Sequence, residues 1–174
     1  MDKAAYLCWL QNKFGDYKIA IRFRDVNNTL CWSKRYSVKE LHLKGDDKSR
    51  WLLDKATDRT PLDCECILDY DLHKIDTDIT AYIQVNYIVN KLSKYKLDMY
   101  FSGSKGYHVH VKIPYLFMLT QTEREHERAI LISKMGCDFM KKSDNSMIAI
   151  EHNPHPKTNI KKRRVINKWL TKMF

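Results

Sequence analysis

The stretch LDMYFSGSKGYHVHVKI, residues 97–113, sets two apolar-rich runs on either side of a glycine-bracketed turn, the pattern of a β-hairpin. In the second run Tyr107, Val109, Val111 and Ile113 alternate with His108, His110 and Lys112. A strand sends successive side chains to opposite faces, so the apolar set takes one face and both histidines share the other. The turn, Ser102, Gly103, Ser104, Lys105 and Gly106, offers backbone N–H groups for an anion-binding concavity, with a lysine charge and a serine hydroxyl beside it. His108 is the first outward residue after that turn. An ordinary hairpin with an exposed lysine and satisfied surface histidines accounts for the same residues.

The same period runs through CECILDYDL, residues 64–72. Cys64, Cys66, Leu68, Tyr70 and Leu72 take one face, and Glu65, Ile67, Asp69 and Asp71 the other. Asp69 and Asp71 then have Cα atoms about 7 Å apart, close enough for both carboxylates to reach the same divalent ions. Two such acids repel unless a cation compensates them. Mg²⁺ or Mn²⁺ suits the pair, taking hard oxygen ligands and keeping positions for water or phosphate. A strand end meeting solvent is the plainer account of the D-x-D pair.

The remaining chain predicts a helix over Ala4 to Phe14 and paired strands in YKIAIRFR and LCWSKRYS about the turn signal Asn27-Asn28. A short helix over Lys48 to Ala56 and a helix from an Asp76 N-cap to about Lys94 follow. Thr122 with Glu125 predicts a capping box for a helix reaching about Lys142, and MIAIE is a last strand. The formal net charge of +10, from 31 Lys and Arg against 21 Asp and Glu, favours a polyanionic partner. No apolar run approaches the roughly 18 residues of a membrane span, and no signal-peptide pattern opens the chain, so a cytoplasmic location without membrane partners is expected. Five cysteines without paired spacing read as reduced thiols, and no zinc is expected. Beyond Glu151 the chain carries Lys157, Lys161, Lys162, Arg163, Arg164, Lys168 and Lys172 with Trp169 among them and no acid. Cations with a stackable aromatic suit single-stranded nucleic acid, and a solvated helix face with Trp169 in the core fits equally.

Taken together, ILDYD and FSGSKGYHVHV resemble the signature of the archaeo-eukaryotic primase superfamily, a strand ending in D-x-D followed by an SG-x-(R/K)-G-x-H loop and strand. The likeness spans about Cys64 to Val111 and is nearest to the archaeal small catalytic primase subunit and to compact plasmid and viral primase-polymerases. It implies an α+β fold of two modules, an α/β module packed on an RNA-recognition-like module with the active site between their sheets. Residues 1–174 would form one catalytic domain, with an amino-terminal part over 1–60, a motif-bearing core over 61–155 and a basic tail over 156–174. The resemblance implies template-directed nucleotidyl transfer from NTP or dNTP, with two Mg²⁺ or Mn²⁺ ions on Asp69, Asp71 and a third acid, best matched by Glu151. It gives Ser102, Lys105 and His108 the triphosphate, with Gly103, Ser104 and Gly106 shaping the loop and Arg163 and Arg164 as further nucleotide contacts. Lys157, Lys161, Lys162 and Lys168 would meet a single-stranded DNA template, and a large accessory subunit or a helicase is an expected partner. Two other readings compete. One is a rolling-circle nuclease using His108 and His110 as metal ligands, and the other is a non-catalytic relative that binds single strands.

Overall fold

Asp2 accepts a hydrogen bond from the Ala5 amide and caps helix α1, Lys3–Phe14, which Gly15 ends at a φ of 85° that favours glycine. The computed structural model describes residues 2–71, 78–102, 106–151, 153–155 and 158–165. After α1 come strands β1, Lys18–Ala20, β2, Arg22–Arg24, β3, Leu30–Trp32, and β4, Tyr36–Ser37. Helices α2, Val38–Lys44, and α3, Asp47–Lys55, are capped by Ser37 and Asp46, and β5, Asp58–Arg59, follows. The second half runs through β6, Glu65–Asp71, α4, Asp78–Lys91, β7, Lys96–Phe101, and β8, Gly106–Lys112. It continues through α5, Gln121–Met135, then β9, Ile148–Ala149, and β10, Arg163–Arg164.

Among the described residues two four-stranded sheets form, and their strand pairings are antiparallel, so the chain is α+β. The first has the order β4-β1-β5-β9, and the second β10-β7-β8-β6. Because β8 runs antiparallel to both β6 and β7, these two are parallel to one another, and β6, α4 and β7 make a split β-α-β unit with β8 between its strands. A separate hairpin pairs β2 with β3, its turn carrying Asn28 at a φ of 62°.

Each sheet has its own apolar core. Leu7 and Leu10 of α1 meet Ile19, Leu41, Leu52 and Leu53 over the first sheet. Cys66, Leu68, Val109 and Val111 on one face of the second sheet meet Ile88 and Ile132 from α4 and α5. Each fully buried aliphatic side chain contributes about 1.5–3 kcal/mol relative to exposure. The first core also draws in Leu62, Cys64 and Ile150, and β9 completes the first sheet. The first core thus draws on residues on both sides of residue 60, and β10, within the basic tail, pairs with β7 of the second sheet.

Several boundaries differ from those the sequence predicts. The capping box of α5 is Thr120 with Glu123, one register earlier than Thr122 with Glu125, because the Glu123 carboxylate returns to the Thr120 amide at 2.8 Å. Gly136, at a φ of 66°, stops α5 well before Lys142, and Phe139–Lys142 forms a separate 3₁₀ turn. The last strand is only Ile148–Ala149, which leaves Glu151 in the following turn. Asp76 lies outside the described residues. The five cysteines are free, and among the described residues no helix is long and apolar enough to cross a membrane.

Candidate active site

The period of two in β6, β7 and β8 leaves the second sheet with one polar face. Register places Asp69 opposite His108 and His108 opposite Tyr100, while Ile67 and Asp98 both face His110. Glu65 and Lys96 both pair with Lys112 farther along. The two histidines thus share a face, with ring centroids 6.4 Å apart.

At the loop end, His108 Nε2 lies 3.2 Å from Asp69 Oδ1, and Lys141 Nζ lies 3.5 Å from Asp69 Oδ2. Lys141 arrives on the 3₁₀ turn, which the Asp138 amide fastens to the Asp69 carbonyl at 2.9 Å. Burial works to raise the Asp69 pKa, but His108 and Lys141 outweigh it and hold the acid at about 2. Burial, with help from the Lys162 charge, pushes His108 below its ordinary value against the pull of Asp69. A neutral His108 that donates Nε2–H to Asp69 keeps Nδ1 as an acceptor, and that buried atom has no hydrogen-bond partner in the protein. Ser102 closes the hairpin, its amide donating to the Gly106 carbonyl at 2.9 Å and its hydroxyl oxygen accepting from the Gly106 amide at 3.2 Å. Asp71 pairs through its backbone with Gly106. Gly103, Ser104, Lys105, Lys157, Lys168, Trp169 and the Asp71 side chain lie outside what is described.

Toward the other end, the face is closed by a buried ionic network. Arg59 of β5 donates to Glu65 Oε2 at 2.7 Å and to Glu151 Oε1 at 2.9 Å, bridging the two sheets. The Tyr6 hydroxyl of α1 donates to Glu151 Oε2 at 3.1 Å, and Lys112 pairs with Glu65. Lys162 Nζ donates to His110 Nε2 at 3.1 Å and to the Ala149 carbonyl at 3.0 Å. This leaves the His110 Nδ1 proton for Glu65 and Glu151, at 3.2 and 3.3 Å. Burial, then Lys162, lowers His110 to about 3, and burial lowers Lys162 to about 8 although Glu151 opposes it. Burial would raise Glu151, yet Arg59 and Lys162 hold its carboxyl far below the usual range.

This network bears on three of the expected site residues, Glu151, Lys162 and His110. Glu151 does not suit a metal: both its oxygens accept from protein donors, and Arg59 and Lys162 would repel a divalent cation. Lys162 is wholly buried, so its ammonium serves His110 and not a template phosphate. His110 is enclosed on both ring nitrogens, which removes it as a metal ligand beside His108. Asp144, in the polar turn KKSDNS, pairs with Arg124 at 2.8 Å and with the buried Arg128. Arg163 and Arg164 do stay exposed and pair in register with Phe101 and Tyr100, near the loop, and Lys161 is exposed as well.

Arg59, Lys141 and Tyr6 carry no signal in the sequence that separates them from other surface-type residues. Glu65 does: it is an acid on the Asp69 face of an otherwise apolar strand. Asp69 fits a hard cation, since it is ionised and its Oδ2 lies 3.5 Å from Lys141, beyond a close ion-pair contact. Among the described residues, no three His, Cys, Asp or Glu side chains cluster as a metal site. In comparison with known proteins, no family model matches the chain and no curated protein is similar to it.

Proposed function

We propose that the chain is a template-directed nucleotidyltransferase of the archaeo-eukaryotic primase kind, its two modules meeting at the polar face of the second sheet. The observation that carries this reading is the contact of Asp69 with His108 at 3.2 Å, which joins the D-x-D strand to the SGSKGYH loop at one end of one face. Binding of single-stranded nucleic acid alone has no use for an ionised carboxylate there, because it repels phosphate.

In this reading Asp69, with Asp71, holds Mg²⁺ or Mn²⁺, which when bound activates the primer 3′-hydroxyl and neutralises the pyrophosphate leaving group. His108 takes the triphosphate of the incoming NTP or dNTP. Its Nε2–H stays on Asp69, and the unpartnered Nδ1 gains a proton as phosphate charge approaches, becoming a second donor. Lys141, 3.5 Å from Asp69 Oδ2, offsets the charge of Asp69 in the protein as it stands. Ser102 and Gly106 are joined by two hydrogen bonds, which fixes the two ends of the loop. Arg163 and Arg164 add positive charge alongside β7, and single-stranded DNA is the template.

The test is incorporation of labelled nucleotide on a single-stranded DNA template with Mn²⁺, with and without primer. Wild type is expected to incorporate, and Asp69→Asn and His108→Ala to lose on the order of a hundredfold in rate. Extension by Asp69→Asn at the wild-type rate, or DNA binding by wild type with no incorporation under either condition, would sink the assignment and leave a binding protein.

A further inference from the structure

Between α1 and the polar face of the second sheet lies a cavity of about 180 Å³, on the far side of His110 from the Asp69 site. Tyr6 and Trp9 stack on the α1 wall, with centroids 6.1 Å apart, and Tyr100 lies across from them. Four basic side chains, Arg59, Lys96, Lys112 and Arg164, line it against two carboxylates, Asp98 and Glu151. Behind the wall Glu65 and Lys162 offset one another, so two positive charges stay uncompensated. Arg59 is 1% exposed and its Nε has no partner in the protein. At the mouth Arg164 pairs with Asp98 at 2.6 Å and Lys96 is exposed, so a ring-walled cavity with a net cationic lining suits an anion that also carries a planar group.

We propose that this cavity binds a 5′-phosphorylated nucleoside, its base against Trp9 and Tyr6 and its phosphate at the mouth beside Lys96 and Arg164. The volume equals about six waters at ~30 Å³ each, room for one heterocycle and too little for a whole nucleotide. A phosphate monoester carries about −1.5 to −2 charges at neutral pH, which matches the two positive charges left over. Stacking on an aromatic ring tolerates any base, so the site reads the base-plus-phosphate combination and not base identity. The ligand is either a free nucleoside monophosphate or the 5′-phosphorylated end of a strand. This site includes neither Asp69 nor His108 and shares only Arg164 with the function proposed above.

The experiment is calorimetric titration of the full chain with GMP, UMP and inorganic phosphate in EDTA, followed by competition with a 5′-phosphorylated tetranucleotide. Both nucleotides are expected to bind with similar affinity and phosphate at least about tenfold more weakly, the loss of one stacked base. Trp9→Ala and Arg164→Ala should each weaken GMP by on the order of tenfold. Lys96→Ala, at an exposed position, serves if either fails to fold. Lys134→Ala, exposed on α5 and outside the cavity, should leave binding unchanged. Competition by the tetranucleotide assigns the site to a strand end and its absence to the free nucleotide, and both outcomes support the site. Failure of GMP and the tetranucleotide alike to bind, or a loss that follows His108→Ala and spares Trp9→Ala, overturns it.

Discussion

Replacing Glu151 by glutamine keeps its shape and removes its charge, which makes it a direct test of whether this acid is structural. Glu151 is 5% exposed, and its two oxygens accept from Arg59 at 2.9 Å and from Tyr6 at 3.1 Å. The variant leaves Arg59 with one carboxylate, Glu65, and takes from Lys162 the anion that most favours its charged form. Removing one partner of a buried ion pair costs about 3–5 kcal/mol, and the retained amide oxygen places this case near ~3 kcal/mol. In a chain of this size that is a fall of roughly 6–12 °C in Tm at pH 7. The Glu151 pKa is depressed in the folded state, so its contribution is complete above the unfolded value of about 4.3 and is lost as pH falls below it. The gap between wild type and variant should therefore narrow progressively below about pH 4.3. Thermal unfolding followed by circular dichroism across that range measures both effects. A Glu151→Gln transition within about 2 °C of wild type at pH 7, with a shifted Mn²⁺ requirement instead, would refute the structural role and restore Glu151 as a metal ligand.

His110 gives a second pH signature. Its folded pKa of about 3 lies below the unfolded ~6.5, so the unfolded chain binds more protons between these values and stability falls as pH drops through that window, by up to ~1.4 kcal/mol per unit. Urea titrations should show that slope in wild type and a flatter one in His110→Gln, and equal slopes would contradict a buried neutral imidazole. Asp144→Asn should lower stability by about 3 kcal/mol, because it strips the buried Arg128 and its neighbour Arg124 of their shared carboxylate. Its denaturation midpoint should fall while its Mn²⁺ dependence stays at the wild-type value, and an unchanged midpoint would refute a structural role for Asp144.

The strand periodicity of residues 64–72 and 106–113 was sufficient to divide apolar from polar faces, because a pleated strand leaves its side chains no other arrangement. That put Asp69 on one face and His108 and His110 together on one face before any fold was known. The α+β class was legible in the same way, from alternation in some segments and helical caps in others. Only the tertiary structure decided what each polar residue on that face does. Two positions along one strand, His108 and His110, are alike in sequence, yet one stands at the loop end beside Asp69 and the other is sealed between Glu65, Glu151, Arg59 and Lys162. Arg59, Glu151 and Lys162 come from three distant segments and meet only when β5 and β9 pair and the second sheet closes over them. Burial in that junction turns an acid and a lysine that read as metal ligand and phosphate contact into partners of each other's charge. Desolvation is a property of everything packed around a group, and no local stretch of sequence carries it.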